Sequence, residues 1–227
     1  MTFALAKPHL DIGLFTNERD RQLAFWQREV GLDYDHLAKL GGGRQQHRHH
    51  CNGSIVKLNH ARDPLPSLPP SGYRELLIAR DGLAAPRPLA DPDGNKVTLV
   101  PRGWRGVQGI AVAMLANDLA AFDAFYRGAL GFTALPDGVW RCGDTLLLPV
   151  QGAVARGDDW VAPGWRYLTV QVFDADAAYD EILARGGTVG RPPATVGTTA
   201  RYGFVRDPDG NWIEISARAS LTGRALG

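Results

Sequence analysis

An α+β fold made of repeated strand–helix–three-strand modules is predicted by three observations. Asp91-Pro92-Asp93-Gly94-Asn95 returns as Asp207-Pro208-Asp209-Gly210-Asn211. Asn17…Phe25-Trp26…Val30-Gly31-Leu32 returns as Asn117…Phe125-Tyr126…Leu130-Gly131-Phe132. Two motifs recurring in one order mark an internal duplication rather than a chance match. Around them, the apolar pattern switches between a period of two and a helical period. The 227 residues therefore read as two units, 1–101 and 107–218, with 102–106 as linker and 219–227 as tail.

Leu10, Ile12 and Leu14 alternate with Asp11, Gly13 and Phe15, which makes a strand with one apolar face. Asn17 stands at the helix N-cap position, Leu23, Trp26 and Val30 follow at helical spacing, and Gly31 stops the helix. Asn52-Gly53 is a two-residue hairpin turn. Residues 73–79 form another strand, and only 80–90 separate it from the Asp-Pro-Asp-Gly-Asn turn. That is too short for a helix and a strand, so the first unit is truncated. In the second unit Ile110, Val112 and Met114 form the strand and Asn117 starts the helix. Phe122, Tyr126 and Leu130 line that helix, Gly131 ends it, and 141–145 hold a looser turn. The pattern then begins again, with a strand at 167–172, a helix at 176–185 and a hairpin over 199–215.

Composition narrows the function. Lys and Arg number 25 against 24 Asp and Glu, a net charge of +1, so no electrostatic footprint points to nucleic acid or an anionic membrane. No apolar run approaches a membrane span. The opening residues 1–8 lack a basic stretch followed by an apolar core, so no secretory signal is expected. Cys51 and Cys142 form neither a CxxC pair nor a disulfide framework, and a reducing cytoplasm is the expected compartment. All six histidines (His9, His36, His47, His49, His50 and His60) lie in the first unit.

The helix ending Phe125-Tyr126…Leu130-Gly131-Phe132, with the Asp-Pro-Asp-Gly-Asn turn before an apolar strand, resembles the vicinal oxygen chelate (VOC) superfamily. That group includes glyoxalase I, extradiol dioxygenases, and fosfomycin- and bleomycin-resistance proteins. The resemblance covers nearly the whole chain. It implies repeated βαβββ modules whose sheets curl into two cup-shaped half-barrel units, the first truncated. It also implies a small-molecule substrate and a divalent metal held by ligands from the first and last strands of modules. Those ligand positions fall on Asp11, Lys57, Glu75 and Thr98 in the first unit, and on Ala111, Leu147, Tyr167 and Glu214 in the second. A lysine ammonium donates and does not ligate. The expectation is a cup without metal. The alternative is one divalent Fe, Mn, Zn or Ni ion on His50, Asp11 and Glu75, with Lys57 swung aside.

Strand alternation supplies the rest of the expected site. Across the Asn52-Gly53 turn Arg48 pairs with Lys57, so Gln46, Arg48 and His50 share a face with Lys57 and Asn59, while His47 and His49 point away. His9 and Asp11 share one face of the first strand. The charges of Asp11 and Glu75 balance those of Lys57 and Arg48, as a desolvated cluster requires. This set suits metal-independent acid–base chemistry, of lyase or isomerase type, on a small oxygenated metabolite, aromatic ones included. Lys57 or Arg48 would hold a developing oxyanion, and Asp11, Glu75 or His50 would move the proton. His9, Gln46, Asn59 and Thr98 would bind the substrate. The second cup, with Trp140, Tyr167 and Glu214, reads as structural or as an apolar ligand slot. A metal-dependent dioxygenase or glyoxalase-like enzyme, and a non-catalytic binder of the antibiotic-resistance kind, remain as alternatives. The two units can pair within one chain or across a homodimer.

Overall fold

The computed structural model describes residues 3–224; residues 1–2 and 225–227, the end of the expected tail, lie outside the described residues. Strand β1 (Asp11–Thr16) leads into helix α1 (Arg19–Ala24), which widens into a π-turn over Phe25–Glu29. Gly31, at φ +73°, turns the chain out of that helix in a conformation that L side chains rarely adopt. Strands β2 (Asp33–Gly41), β3 (Arg44–Cys51) and β4 (Ser54–Ala61) follow. Asn52 and Gly53 both take positive φ, which gives the β3–β4 hairpin its tight turn and sets Arg48 opposite Lys57.

The second module holds only strands, β5 (Tyr73–Arg80), β6 (Arg87–Ala90) and β7 (Lys96–Pro101). The third has β8 (Ile110–Ala116), α2 (Leu119–Asp123) with its π-turn Ala124–Ala129, β9 (Thr133–Leu135), β10 (Val139–Cys142) and β11 (Thr145–Gln151). The fourth has β12 (Gly164–Gln171), α3 (Ala175–Ala184), β13 (Thr188–Val196), β14 (Ala200–Arg206) and β15 (Trp212–Arg218). A short helix, α4 (Ala219–Thr222), occupies part of the expected tail. Strand β13 has no alternating signature in sequence. It carries Pro192 and Pro193, which an edge strand tolerates, and its register against β14 shifts twice.

Asn17 and Asn117 are not helix caps. Asn17 Nδ2 donates to the carbonyls of Ala61 and Asp63, and Asn117 Nδ2 donates to Asp209 and to the Val154 carbonyl. Both fasten the helix entrance to a connector instead. Asp118 caps α2, accepting from the amides of Ala120 and Ala121.

The strands form two mixed sheets. Sheet A runs β13-β14-β15-β12-β1-β4-β3-β2 and curls into a half-barrel; sheet B runs β6-β7-β5-β8-β11-β10-β9. Sheet A therefore joins the first module to the fourth through the antiparallel β1–β12 pair, and sheet B joins the second to the third through β5–β8. The cups do not follow the two sequence units, because each unit gives one module to each sheet. All of this pairing lies within one chain.

One continuous core covers the helix-side faces of both sheets. It includes Ile12, Leu14, Val56 and Leu58 from sheet A, Leu76, Ile78 and Val112 from sheet B, and Trp26 and Tyr126 from the helices. The paired Asp-Pro-Asp-Gly-Asn turns tie the layers together. Asp91 Oδ1 accepts from the amides of Asp93 and Asn95 at 3.0 and 2.8 Å, and Asp207 Oδ1 accepts from those of Asp209 and Asn211 at the same distances. Gln22 of α1 donates to Asp91 Oδ2, and Tyr126 donates to Asp207 Oδ2, both at 2.9 Å. Burial pushes the Asp207 carboxyl up to about 6. No helix among the described residues is long and apolar enough to cross a membrane.

Candidate functional site

The concave face of sheet A is made by the residues that alternate with the core positions. β1 contributes Asp11, Gly13 and Phe15; β4 contributes Lys57 and Asn59; β3 contributes Gln46 and Arg48. From the fourth module, β12 contributes Tyr167, Thr169 and Gln171, and β15 contributes Glu214. Gly13 is required here, because a Cβ at that position would sit 2.2 Å from the Tyr167 ring.

Lys57 is the centre. Only 2% of its side chain is exposed. Its Nζ donates to both carboxylate oxygens of Glu214, at 3.1 and 3.0 Å, and to Thr169 Oγ1 at 2.6 Å. The ammonium also sits over the Tyr167 ring, 5.3 Å from the centroid. Burial lowers the Lys57 ammonium below its ordinary range, the Glu214 and Asp11 carboxylates pull it back up, and burial wins. Around this pair, Gln46 Nε2 donates to Asn59 Oδ1 at 2.9 Å and to the Tyr167 hydroxyl at 3.2 Å. Asn59 Nδ2 donates to the same hydroxyl at 3.1 Å. Burial, then the Glu214 charge, holds the Tyr167 hydroxyl well above the usual phenol range, so it stays protonated.

Asp11 is fully buried in the same cup and accepts from Lys7 Nζ at 2.5 Å, the Ile55 amide at 2.8 Å and Gln171 Nε2 at 3.0 Å. Burial alone would raise its carboxyl, but the Lys7 and Lys57 ammonium groups and the Lys7 and Gln171 hydrogen bonds outweigh it and hold the group below the usual range. Asp11 is thus an ionised acceptor already engaged by three donors. Arg48 Nη1 donates to Gln46 Oε1 at 3.0 Å, and its Nε lies 3.5 Å from Asp35. Arg218, half-buried on β15, is held below its ordinary range by burial, with Arg48 and Glu214 near enough to act on it.

Aromatic side chains close one end of the cup. Phe15, Trp160, Tyr167, Phe204 and Trp212 form one cluster, against which Leu65 and Val161 pack. Trp160 stacks edge-on to Phe15 and Tyr167 at 5.3 and 5.4 Å. Leu65 comes from the proline-rich connector 63–72. Glu214 keeps 11% of its side chain exposed against 2% for Lys57, so the pair meets solvent on the Glu214 side.

Seven of the residues expected from sequence meet in this cup: Asp11, Gln46, Arg48, Lys57, Asn59, Tyr167 and Glu214. Tyr167 and Glu214 are corrections, since they share the cup of Lys57 rather than a second one; the exchange of modules between sheets brings them there. The same exchange removes Glu75 and Thr98, which lie in sheet B, where Thr98 Oγ1 donates to Glu75 Oε1 at 2.5 Å. His50 stands at the rim, 62% exposed and 3.7 Å from Asp35. His9 precedes β1 and lies against the Gly53 turn, 3.8 Å from Asp144.

Trp140 is not in a cup. Cys142 pairs with Thr145 as Cys51 pairs with Ser54, so Trp140 corresponds to His49 and faces the helices. There it donates to Asp123 and packs edge-on against Phe122. The same register makes Leu148, not Leu147, the counterpart of Lys57, because the glycine stands one place earlier in the second turn. The sequence reading missed Lys7, Thr169, Gln171 and Arg218. Alternation from Tyr167 and Glu214 reaches the last three; Lys7 precedes the strand and carries no periodic signal.

Sheet B builds its cup from apolar residues: Leu77, Ala79, Val100, Val107, Ala111 and Leu146, with Trp104 and Leu148 packed against them. Both cysteines are free and buried away from either cup, and burial pushes each thiol up to about 12, which leaves no thiolate for nucleophilic chemistry.

Residues 110–215 match the model of the Glyoxalase/Bleomycin resistance protein/Dioxygenase superfamily. This segment belongs to that superfamily. The fold extends the likeness to the whole chain. Glyoxalase I from Zea mays superposes with a TM-score of 0.72 at 16% identity, covering 92% of each chain. A putative dioxygenase from Bacillus subtilis subsp. subtilis str. 168 superposes with a TM-score of 0.69 at 12% identity, covering 98% of this chain and 92% of that one. No curated protein sequence matches the chain.

The superfamily implies a divalent metal in the cup, and the residues at hand do not fit one. The Lys57 ammonium binds both oxygens of Glu214, and the second carboxylate, Asp11, already accepts three hydrogen bonds. Among the described residues no three His, Cys, Asp or Glu side chains are grouped to hold a metal ion. His50, Asp11 and Glu75, the alternative ligand set, are split between the rim of sheet A, its cup and sheet B.

Proposed function

We propose that this glyoxalase-superfamily chain moves a proton on a small carbonyl-bearing metabolite in the cup of sheet A, without a metal. The observation that carries the reading is the buried contact of Lys57 Nζ with both oxygens of Glu214 and with Thr169. A substrate carbonyl that takes one of those donor positions releases a Glu214 oxygen. Glu214 then accepts the proton from the carbon beside the carbonyl. The electron pair moves onto the carbonyl oxygen, where Lys57 donates to the developing oxyanion. The proton returns to a neighbouring carbon in an isomerisation, or a β-leaving group departs in an elimination. A lowered Lys57 pKa brings the ammonium closer to the working range of a proton donor. Asp11 keeps the charge of the cup balanced, and the aromatic cluster keeps water from the oxyanion.

The test is α-proton exchange in D2O, followed by NMR over a panel of hydroxy-ketones, 2-oxo acids and β-hydroxy carbonyl compounds, on chelator-treated protein. Exchange should survive chelation and fall at least about 100-fold in Lys57→Met and Glu214→Gln. Turnover that appears only when a divalent metal is added back would sink the proposal. The aromatic cluster supports a second reading, sequestration of a flat ligand without turnover. Saturable binding with no exchange in any compound would favour that reading instead.

A further inference from the structure

A second polar feature lies away from both cups. The chain makes the same β-bulge twice. Between β1 and β12 the register jumps from Gly13↔Tyr167 to Leu14↔Trp165, which leaves Arg166 as the extra residue. Between β5 and β8 it jumps from Tyr73↔Met114 to Glu75↔Ala113, which leaves Arg74. A bulge re-aims the side chain of its extra residue. Arg166 is anchored: Nε donates to the carbonyls of Ala162 and Pro163 at 2.9 and 3.0 Å, and Nη1 to that of Pro69 at 2.8 Å. Arg74 has no such partners. Its Nε is buried and makes no hydrogen bond.

Arg74 lines a cavity of about 500 Å³ between the start of β12 and the turn before β7. Lys96 lines it too, and no aspartate or glutamate does. The third observation is Trp165 on the same wall, 4% exposed, with its buried indole N–H unpartnered. An orphaned buried donor is costly, and two of them, Arg74 Nε and the Trp165 indole N–H, beside a space of ligand size that the exposed Lys96 also lines, describe a site lacking its anion. Leu115, Pro70 and Pro163 supply apolar wall for an organic body.

We propose that this cavity binds a small organic oxyanion, a carboxylate or a phosphate ester, with the Arg74 guanidinium and the Lys96 ammonium on its oxygens. The site is separate from the Lys57 cup and does not depend on the chemistry assigned there. Titration calorimetry with phenyl phosphate, benzoate and inorganic phosphate, at ionic strength held constant with chloride, tests it. Phenyl phosphate or benzoate should bind saturably, and Arg74→Met and Lys96→Met should each weaken that binding about tenfold or more. Phenyl phosphate binding alone assigns a phosphate ester, benzoate binding alone a carboxylate, and inorganic phosphate binding alone, without an organic body, overturns the proposal. The Trp165 indole N–H resonance, assigned by its loss in Trp165→Phe, should shift on binding. No binding at millimolar concentration, or unchanged affinity in both methionine variants, overturns it as well. The variants alter the edge of β5 and the start of β7 rather than the core, and an unaltered thermal melt confirms that they fold.

Discussion

The two cups share the order and register of their central strands, and differ in what matching positions carry. Asp11, Lys57, Tyr167, Thr169 and Glu214 in sheet A stand where Ala111, Leu148, Glu75, Leu77 and Thr98 stand in sheet B. The backbone is therefore indifferent to the contents of its cup. Sheet B forms the same central strand pairing around a mainly apolar filling, with Glu75 and Thr98 as its polar members. The ion pair of sheet A is then not needed to make the fold, since paired buried charges contribute little net stability over well-packed apolar residues. Its retention inside a cup that could be apolar is what points to chemistry.

The sharpest way to break this comparison is to give sheet A the residues of sheet B. Lys57→Leu leaves Glu214 facing the cup without its partner, and should cost about 3–5 kcal/mol in urea denaturation at neutral pH. Lys57→Leu combined with Glu214→Thr should recover most of that loss, because neither charge is left alone. Failure of the double variant to recover would mean that the pair is structural.

The reverse faces of the same strands allow a second comparison, His49 against Trp140. Burial holds the His49 imidazole down at about 4, so it is neutral in the fold. Its unfolded value is the ordinary 6.5. Between those two values the unfolded chain binds more protons than the folded one, so stability falls as pH drops through that window. The loss should be about 3 kcal/mol. His49→Phe should flatten the stability profile between those pH values, and an unchanged slope would move the effect to another group. The smallest effect belongs to sheet B. Thr98→Val removes the donor to Glu75 and should cost about 1 kcal/mol, with exchange activity in sheet A unaltered.

Local features were the legible ones. The Asn52-Gly53 turn fixed its hairpin, and with it the facing of Gln46, Arg48, Lys57 and Asn59. The repeat of Asn17…Leu32 at Asn117…Phe132 located α1 and α2. The choice of partner between modules was not legible. The alternation in β1 suits any strand that offers a matching apolar face, and nothing in residues 10–16 names β12 over β5. Glu214 was identifiable as a carboxylate on a last strand, but its partner Lys57 lies 157 residues away. A single displaced glycine, Gly143, was enough to exchange Leu147 for Leu148 and to turn Trp140 to the wrong face.

That separation of 157 residues also has a consequence in time. At ordinary rates of translation, Lys57 leaves the ribosome about 8–30 s before Glu214 does. Sheet B can close as soon as β11 has emerged. The first module, already made, must meanwhile hold the open edge of β1 until β12 arrives to cover it. The half of the molecule that carries the buried ion pair is thus the last to be completed. A nascent chain arrested before residue 164 would present that edge, and the unpaired lysine beside it, to every chaperone and every other copy in reach.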